Sequence, residues 1–84
     1  MLIIQDRKYR YHNYGDREIV LLATDYDDDS NPKYYSYVSE DELWLIEKHD
    51  TTTKQVRYIF GKGSYETNWT NRASLSYDYY YNLF

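Results

Sequence analysis

The sequence predicts a mainly β domain, a small antiparallel barrel or curled single sheet of five to seven short strands, of SH3-like or OB-like size. Three observations predict it. Residues that suit a pleated, half-buried surface (Tyr, Val, Ile, Thr and Trp) are abundant, whereas alanine occurs only twice. Apolar and polar residues alternate with period two over several stretches. Turn-forming clusters interrupt those stretches at short intervals. A short helix at 40–48 is the one alternative to an all-strand reading.

Residues 2–11 read as the first strand, with Tyr9 and Tyr11 on one face and Lys8, Arg10 and His12 on the other. Asn13-Tyr14-Gly15-Asp16 is a turn signal, and residues 18–24 return as the second strand of a hairpin. The unbroken run Ile19-Val20-Leu21-Leu22-Ala23 implies burial on both faces and a central position. Asp27-Asp28-Asp29-Ser30-Asn31-Pro32 is a loop, because like charges repel and Pro32 lacks a donor. Residues 33–38 form the third strand, with Tyr35 and Tyr37 on one face and Tyr34 on the other.

Ser39-Glu40-Asp41-Glu42 matches a capping box, so a helix ending near Lys48-His49 competes with a turn into a strand. The strand is preferred, because a helix of two to three turns is unstable without strong packing. Trp44 and Ile46 then face one way and Leu43 and Leu45 the other. Residues 55–60 complete this hairpin, and Gly61-Lys62-Gly63 is a turn. Residues 65–69 read as another strand. The last segment alternates Leu75, Tyr77, Tyr79, Tyr81 and Leu83 against Ser74, Ser76, Asp78, Tyr80 and Asn82, the pattern of a half-buried strand.

The 84 residues are expected to make one domain, 1–84, burying about 60–65% of the surface that the unfolded chain exposes. There is no cysteine, hence no disulfide framework or thiolate metal site, and the reducing cytoplasm is the expected compartment. Met1-Leu2-Ile3-Ile4 stops at Gln5-Asp6-Arg7, too soon for a signal-peptide core, and no apolar window is long enough to span a membrane. The bias toward Tyr, Asp, Asn, Ile and Lys is that of AT-rich bacterial and phage genomes.

Motifs for chemistry are incomplete. Asp25-x-Asp27-x-Asp29 has the first half of a calcium loop, but the glycine and the closing glutamate are replaced by Ser30 and Ser36. His12 and His49 lie in no zinc-binding spacing. Gly61-Lys62-Gly63 lacks the length and the hydroxyl residue of a phosphate loop. A non-enzymatic protein without metal or cofactor is expected, since so short a chain offers little room for a pocket.

Thirteen residues are tyrosine, too many for one small core, so tyrosine must also reach the surface, where it makes good contact area. The net charge of −4 is concentrated: residues 24–50 carry −7, while 1–23 carry +1 and 51–84 carry +2. This is the wrong sign for a nucleic-acid binder and the right sign for a partner with a positive surface. The expected function is a small acidic, tyrosine-rich protein-binding module. By analogy of type, phages and mobile elements encode such proteins as inhibitors of host defence nucleases, blocking the basic groove by nucleic-acid mimicry. The candidate contacts are Asp25, Asp27, Asp28, Asp29, Tyr34, Tyr35, Tyr37, Glu40, Asp41 and Glu42. The expected partner is a basic, nucleic-acid-processing host protein, with no direct DNA binding and no membrane. The alternative is a tyrosine face that stacks on single-stranded nucleic acid or carbohydrate, with Lys8, Arg10, Arg57 and Lys62 as phosphate contacts if the first and fifth strands share a face. Strand edges also allow a homo-oligomer.

Overall fold

The computed structural model describes residues 9–14 and 17–83, with side chains from Ile19 onward. Five antiparallel strands follow one another across a single sheet: β1 (Tyr9–Tyr14), β2 (Arg17–Asp27), β3 (Lys33–Val38), β4 (Leu43–Asp50) and β5 (Gln55–Lys62). A six-residue helix α1 (Tyr65–Thr70) and two single-turn 3-10 segments, Arg72–Ser74 and Tyr80–Asn82, complete the described chain. The sheet is open: among the described residues β1 pairs only with β2 and β5 is the opposite edge, so the barrel alternative is not what forms. The expected beginning of the first strand and the Gly15-Asp16 turn lie outside the described residues.

The preference for a strand at 40–48 holds. Ser39 uses its hydroxyl to close a β-turn instead of capping a helix: Oγ accepts the N–H groups of Asp41 and Leu43, both at 3.2 Å. Glu42 takes a positive φ of 68°, which reverses the chain into β4. The alternation then assigns the side chains as expected. Leu43 and Leu45 join Ile19, Leu21 and Tyr37 on the first face, while Trp44 and Ile46 join Tyr34 on the second. β4 is the strand buried on both faces, with Leu43 to Glu47 all inside. That role was expected of β2, which is internal in the sheet but buries Ile19 and Leu21 on one side and leaves Leu22 48% exposed. The covering chain settles the difference, because it packs over β4 and not over Leu22.

That covering chain is the C-terminal segment. Where residues 65–69 were expected to extend, they coil. Tyr65 and Trp69 are four apart, so one helical turn puts both rings on the sheet side, roughly parallel at 6.4 Å. Leu75 and Tyr77 continue over the same face. Asp78 then pairs with Tyr58 on the edge of β5, exchanging both backbone hydrogen bonds at 2.8 Å. Beyond it, Tyr80 and Leu83 pack on the other face. The expected period-two strand at 75–83 is thus a strap that crosses the sheet edge, and its apolar residues divide between the two faces. It engages the backbone groups of Tyr58 on the β5 edge, which would otherwise be open to pairing.

Gly61 and Lys62, expected in a turn, are the end of β5. Gly61 pairs with Trp44, and the indole lies directly on the glycine. Trp44 Nε1 donates to the Gly63 carbonyl at 2.8 Å, which satisfies the one polar atom of the buried ring. Gly63 supplies the turn itself, at a φ of +72°.

Candidate functional surface

The ten residues singled out in the sequence do not form one patch. Asp25 and Asp27 lie within β2, alongside Ser36 and Tyr34, so the expected 27–32 loop begins only after Asp27; Asp28 and Asp29 sit where β2 turns into β3, and Glu40, Asp41 and Glu42 where β3 turns into β4. The six residues of β3 separate Asp28 and Asp29 from Glu40, Asp41 and Glu42 by roughly 20 Å at about 3.3 Å per residue. An antiparallel turn at each end of one strand makes this separation unavoidable. The tyrosines between them are mostly core: Tyr37 is 0% and Tyr34 6% exposed, while Tyr35 is half-buried against the His49 ring. Tyr34 and Tyr37 therefore offer a partner no side-chain surface. Two of the three tyrosines face the first side and one the second, so strand alternation alone prevents all three from sharing a contact face.

Two of the acids are engaged within the fold. Between Ala23 and Tyr26 the pairing shifts, and Thr24 and Asp25 together oppose Ser36, which makes a bulge. Ser36 is buried there, and its Oγ accepts the Asp25 N–H at 3.0 Å. The Tyr65 hydroxyl donates to Asp25 Oδ2 at 2.6 Å and also contacts Ser36 Oγ. Burial, followed by the Asp25 contact, raises the Tyr65 pKa well above the usual tyrosine range, so the phenol stays protonated and keeps donating.

Asp27 pairs with Arg72 at 2.9 Å, and the same guanidinium lies over the rings of Trp69 and Tyr34. The hydrogen bond from Arg72 holds the Asp27 carboxyl below its ordinary value of 3.8. Because that carboxyl ionises more readily folded than unfolded, its contribution to stability is present above about pH 4 and is lost as pH falls through the lower folded value. Asp27→Asn is accordingly expected to shrink the drop in urea midpoint between pH 6 and pH 2.5. An unchanged drop would remove Asp27 from the acid response.

The rest of the acidic block is dispersed. Asp28 and Asp29 are exposed in the β2–β3 loop, where Lys33 Nζ donates to the Asp28 carbonyl at 2.8 Å. Asp50 organises the neighbouring β4–β5 turn by accepting from the N–H groups of Thr52 and Thr53, at 2.9 and 3.1 Å. Glu47 is buried, 3.1 Å from His49 Nε2. Glu40, Asp41 and Glu42 are exposed, and Glu66 in the first turn of α1 lies beside Glu42 on the wall of the same hollow.

Hollows on the described surface include three with different linings. One of about 340 Å³ lies at the bulge, between Ala23 and Tyr26 on β2 and Tyr35 to Tyr37 on β3. Another of about 350 Å³ lies between Val38, Glu42, Gly63 and Glu66. The third, about 140 Å³, lies between Lys48, Arg57 and Tyr77. The chain thus has more room than its length suggested. In the first hollow, Asp25 is held by Tyr65, and Thr24 Oγ1 donates to the Leu22 carbonyl, so neither is set against the other as nucleophile and base. Among the described residues no three His, Cys, Asp or Glu side chains converge to hold a metal ion, and no helix is long and apolar enough to cross a membrane.

No family model, curated protein or solved structure matches the chain. Its surface is therefore read from its own side chains. Two features of that surface escape the sequence. Arg72 falls in a loop, and nothing in the chain order signals its partner. The exposed aromatic pair Tyr79 and Tyr81 has rings that stack at 5.3 Å with 13° between their planes. The Arg57 guanidinium lies 4.1 Å from the Tyr79 ring. The only signal for this pair is a spacing of two within a run that reads as a strand face.

Proposed function

We propose that this protein is a non-catalytic protein-binding module that occupies a basic, nucleic-acid-binding surface of a host protein. The observation that carries this reading is the placement of exposed carboxylates at both ends of β3, while four of the cations are engaged within the fold. Arg72 is spent on Asp27, Trp69 and Tyr34; Arg57 on Tyr79 and the Val56 carbonyl; Lys33 on the Asp28 carbonyl; and Lys48 lies over Tyr77. Asp28, Asp29, Glu40, Asp41 and Glu42 stand exposed at the two ends of β3. Exposed carboxylates outnumber exposed lysines there: Lys62 ends β5 opposite Leu43, and Lys54 lies in the β4–β5 turn.

The binding surface differs from a continuous acidic track. Two poles roughly 20 Å apart engage two separate basic points, and a rigid sheet keeps their spacing fixed. This is nucleic-acid mimicry by position of charge, and it suits an inhibitor that a phage or mobile element directs against a defence nuclease. Asp25, Asp27, Tyr34 and Tyr37 then act as framework, with Asp28, Asp29, Glu40, Asp41 and Glu42 facing the partner.

Capture from host lysate with the tagged protein tests the reading. One dominant basic partner is expected at low salt, released by high salt or by added DNA. Neutralising Glu40, Asp41 and Glu42 together, by Gln, Asn and Gln, is expected to weaken capture at least about tenfold, because one whole pole then has no charge to set against the partner's cations. Undiminished capture after both poles are neutralised would remove the acidic reading.

A further inference from the structure

We infer that the exposed ring of Tyr81 seats an arginine of the partner, extending a cation–aromatic column already built into the chain. The inference rests on the proposal that the partner surface is basic. The column begins at Arg57, whose guanidinium lies 4.1 Å from the Tyr79 ring centroid, and continues to Tyr81 at 5.3 Å in a nearly parallel stack. Tyr79 is 46% and Tyr81 75% exposed, so most of the terminal ring is open to a partner.

The column is held in place before any partner arrives. Asp78 is fixed to β5 by its two backbone hydrogen bonds with Tyr58. Its Oδ1 accepts from the Tyr79 N–H at 2.7 Å and from Asn82 Nδ2 at 3.1 Å, which closes the turn that carries Tyr81. Between them, Tyr80 points inward and packs edge-on against Tyr58 at 5.0 Å. The backbone that carries Tyr79 and Tyr81 is thereby fixed, which lowers the freedom lost on binding.

Charge selects the occupant. The Asp78 carboxylate and the Arg57 guanidinium both adjoin the column, so the chain's net charge of −4 sets the sign of what is drawn to it. A carboxylate beside electron-rich ring faces attracts a cation. A nucleotide could stack on Tyr81 too, but it would bring its phosphate to a chain of net charge −4. Between the two cationic side chains, guanidinium is planar and weakly hydrated, so it stacks where an ammonium stays solvated. Arg57 on Tyr79 shows the geometry that the partner's arginine would repeat.

The test titrates the full chain at low salt with oligo-arginine and oligo-lysine of equal length, using wild type, Tyr81→Ala and Tyr81→Phe. Wild type is expected to prefer oligo-arginine. Tyr81→Ala is expected to lose about three- to fivefold in affinity for oligo-arginine only, the size of an exposed cation–π contact, and Tyr81→Phe to retain it. Equal losses on both peptides, or none, would overturn the arginine seat while leaving the acidic poles in force. Failure of both peptides to bind wild type would overturn the basic-surface proposal and this inference together. Binding of a short single-stranded oligonucleotide that depends on Tyr81 would overturn the inference in favour of a base-stacking ring.

Discussion

Removal of residues 75–84 is expected to cost the fold a large share of its stability, although every strand of the sheet remains in the shortened chain. The segment carries Leu75 and Tyr77 on one face and Tyr80 and Leu83 on the other. Full burial of such a side chain contributes about 1.5–3 kcal/mol; these four are half-buried, so the loss is roughly 3–6 kcal/mol. A domain of this length is stable by roughly 4–13 kcal/mol. The deletion also bares the β5 edge where Asp78 pairs with Tyr58, and an open edge recruits other chains. A melting temperature lower by at least about 12 °C and larger species on size exclusion are expected. A sharp melt within a few degrees of the full chain would show that the strap is dispensable.

The second large effect is at Gly61. A methyl group there would overlap the Trp44 ring, and the indole is held in place by its hydrogen bond to the Gly63 carbonyl. Gly61→Ala is therefore expected to cost about 1–3 kcal/mol as overpacking, although alanine suits a strand better than glycine does. Trp44→Ala is expected to cost about 3–5 kcal/mol, because loss of a buried indole leaves a cavity between Ile46 and α1. The decisive measurement is the double-mutant cycle by urea unfolding. In the Trp44→Ala background the alanine at 61 has nothing to strike, so its cost should fall to about 0.5 kcal/mol or less. Costs that simply add would mean that Gly61 is needed for some reason other than the ring.

Both sites lie where local pattern stops being informative. Alternation places Tyr35 and Tyr37 opposite Tyr34, and Leu43 and Leu45 opposite Trp44 and Ile46, because side-chain direction in a strand follows from position alone. The same rule fails at 75–83. The alternation there is real in the sequence, but the chain turns at Asp78, and the residues on either side face different surfaces. Tyr65 and Trp69 carry strand propensity, yet their spacing of four also serves a helix, and the apolar face of Trp44 and Ile46 selects the helix. Gly61 looks like a turn residue because its requirement, space for a cross-strand indole, is a property of Trp44 and not of its neighbours in the chain.

The candidate surface divides in the same way. The acidic centre, the excess of tyrosine, the strand-rich class and the β3–β4–β5 hairpins are all legible in the chain order, since they follow from composition, turn chemistry and period. Which acids remain for a partner is a matter of the folded chain. Folding brings Arg72 back onto Asp27, draws Tyr65 onto Asp25, buries Glu47 and sets Glu40 to Glu42 at the far end of β3. It also stacks Tyr79 and Tyr81 beside Arg57. The pairings of Arg72, Tyr65 and Arg57 join residues distant in the chain, and no local pattern encodes them. They are set by how the C-terminal segment wraps the sheet to bury its own apolar side chains.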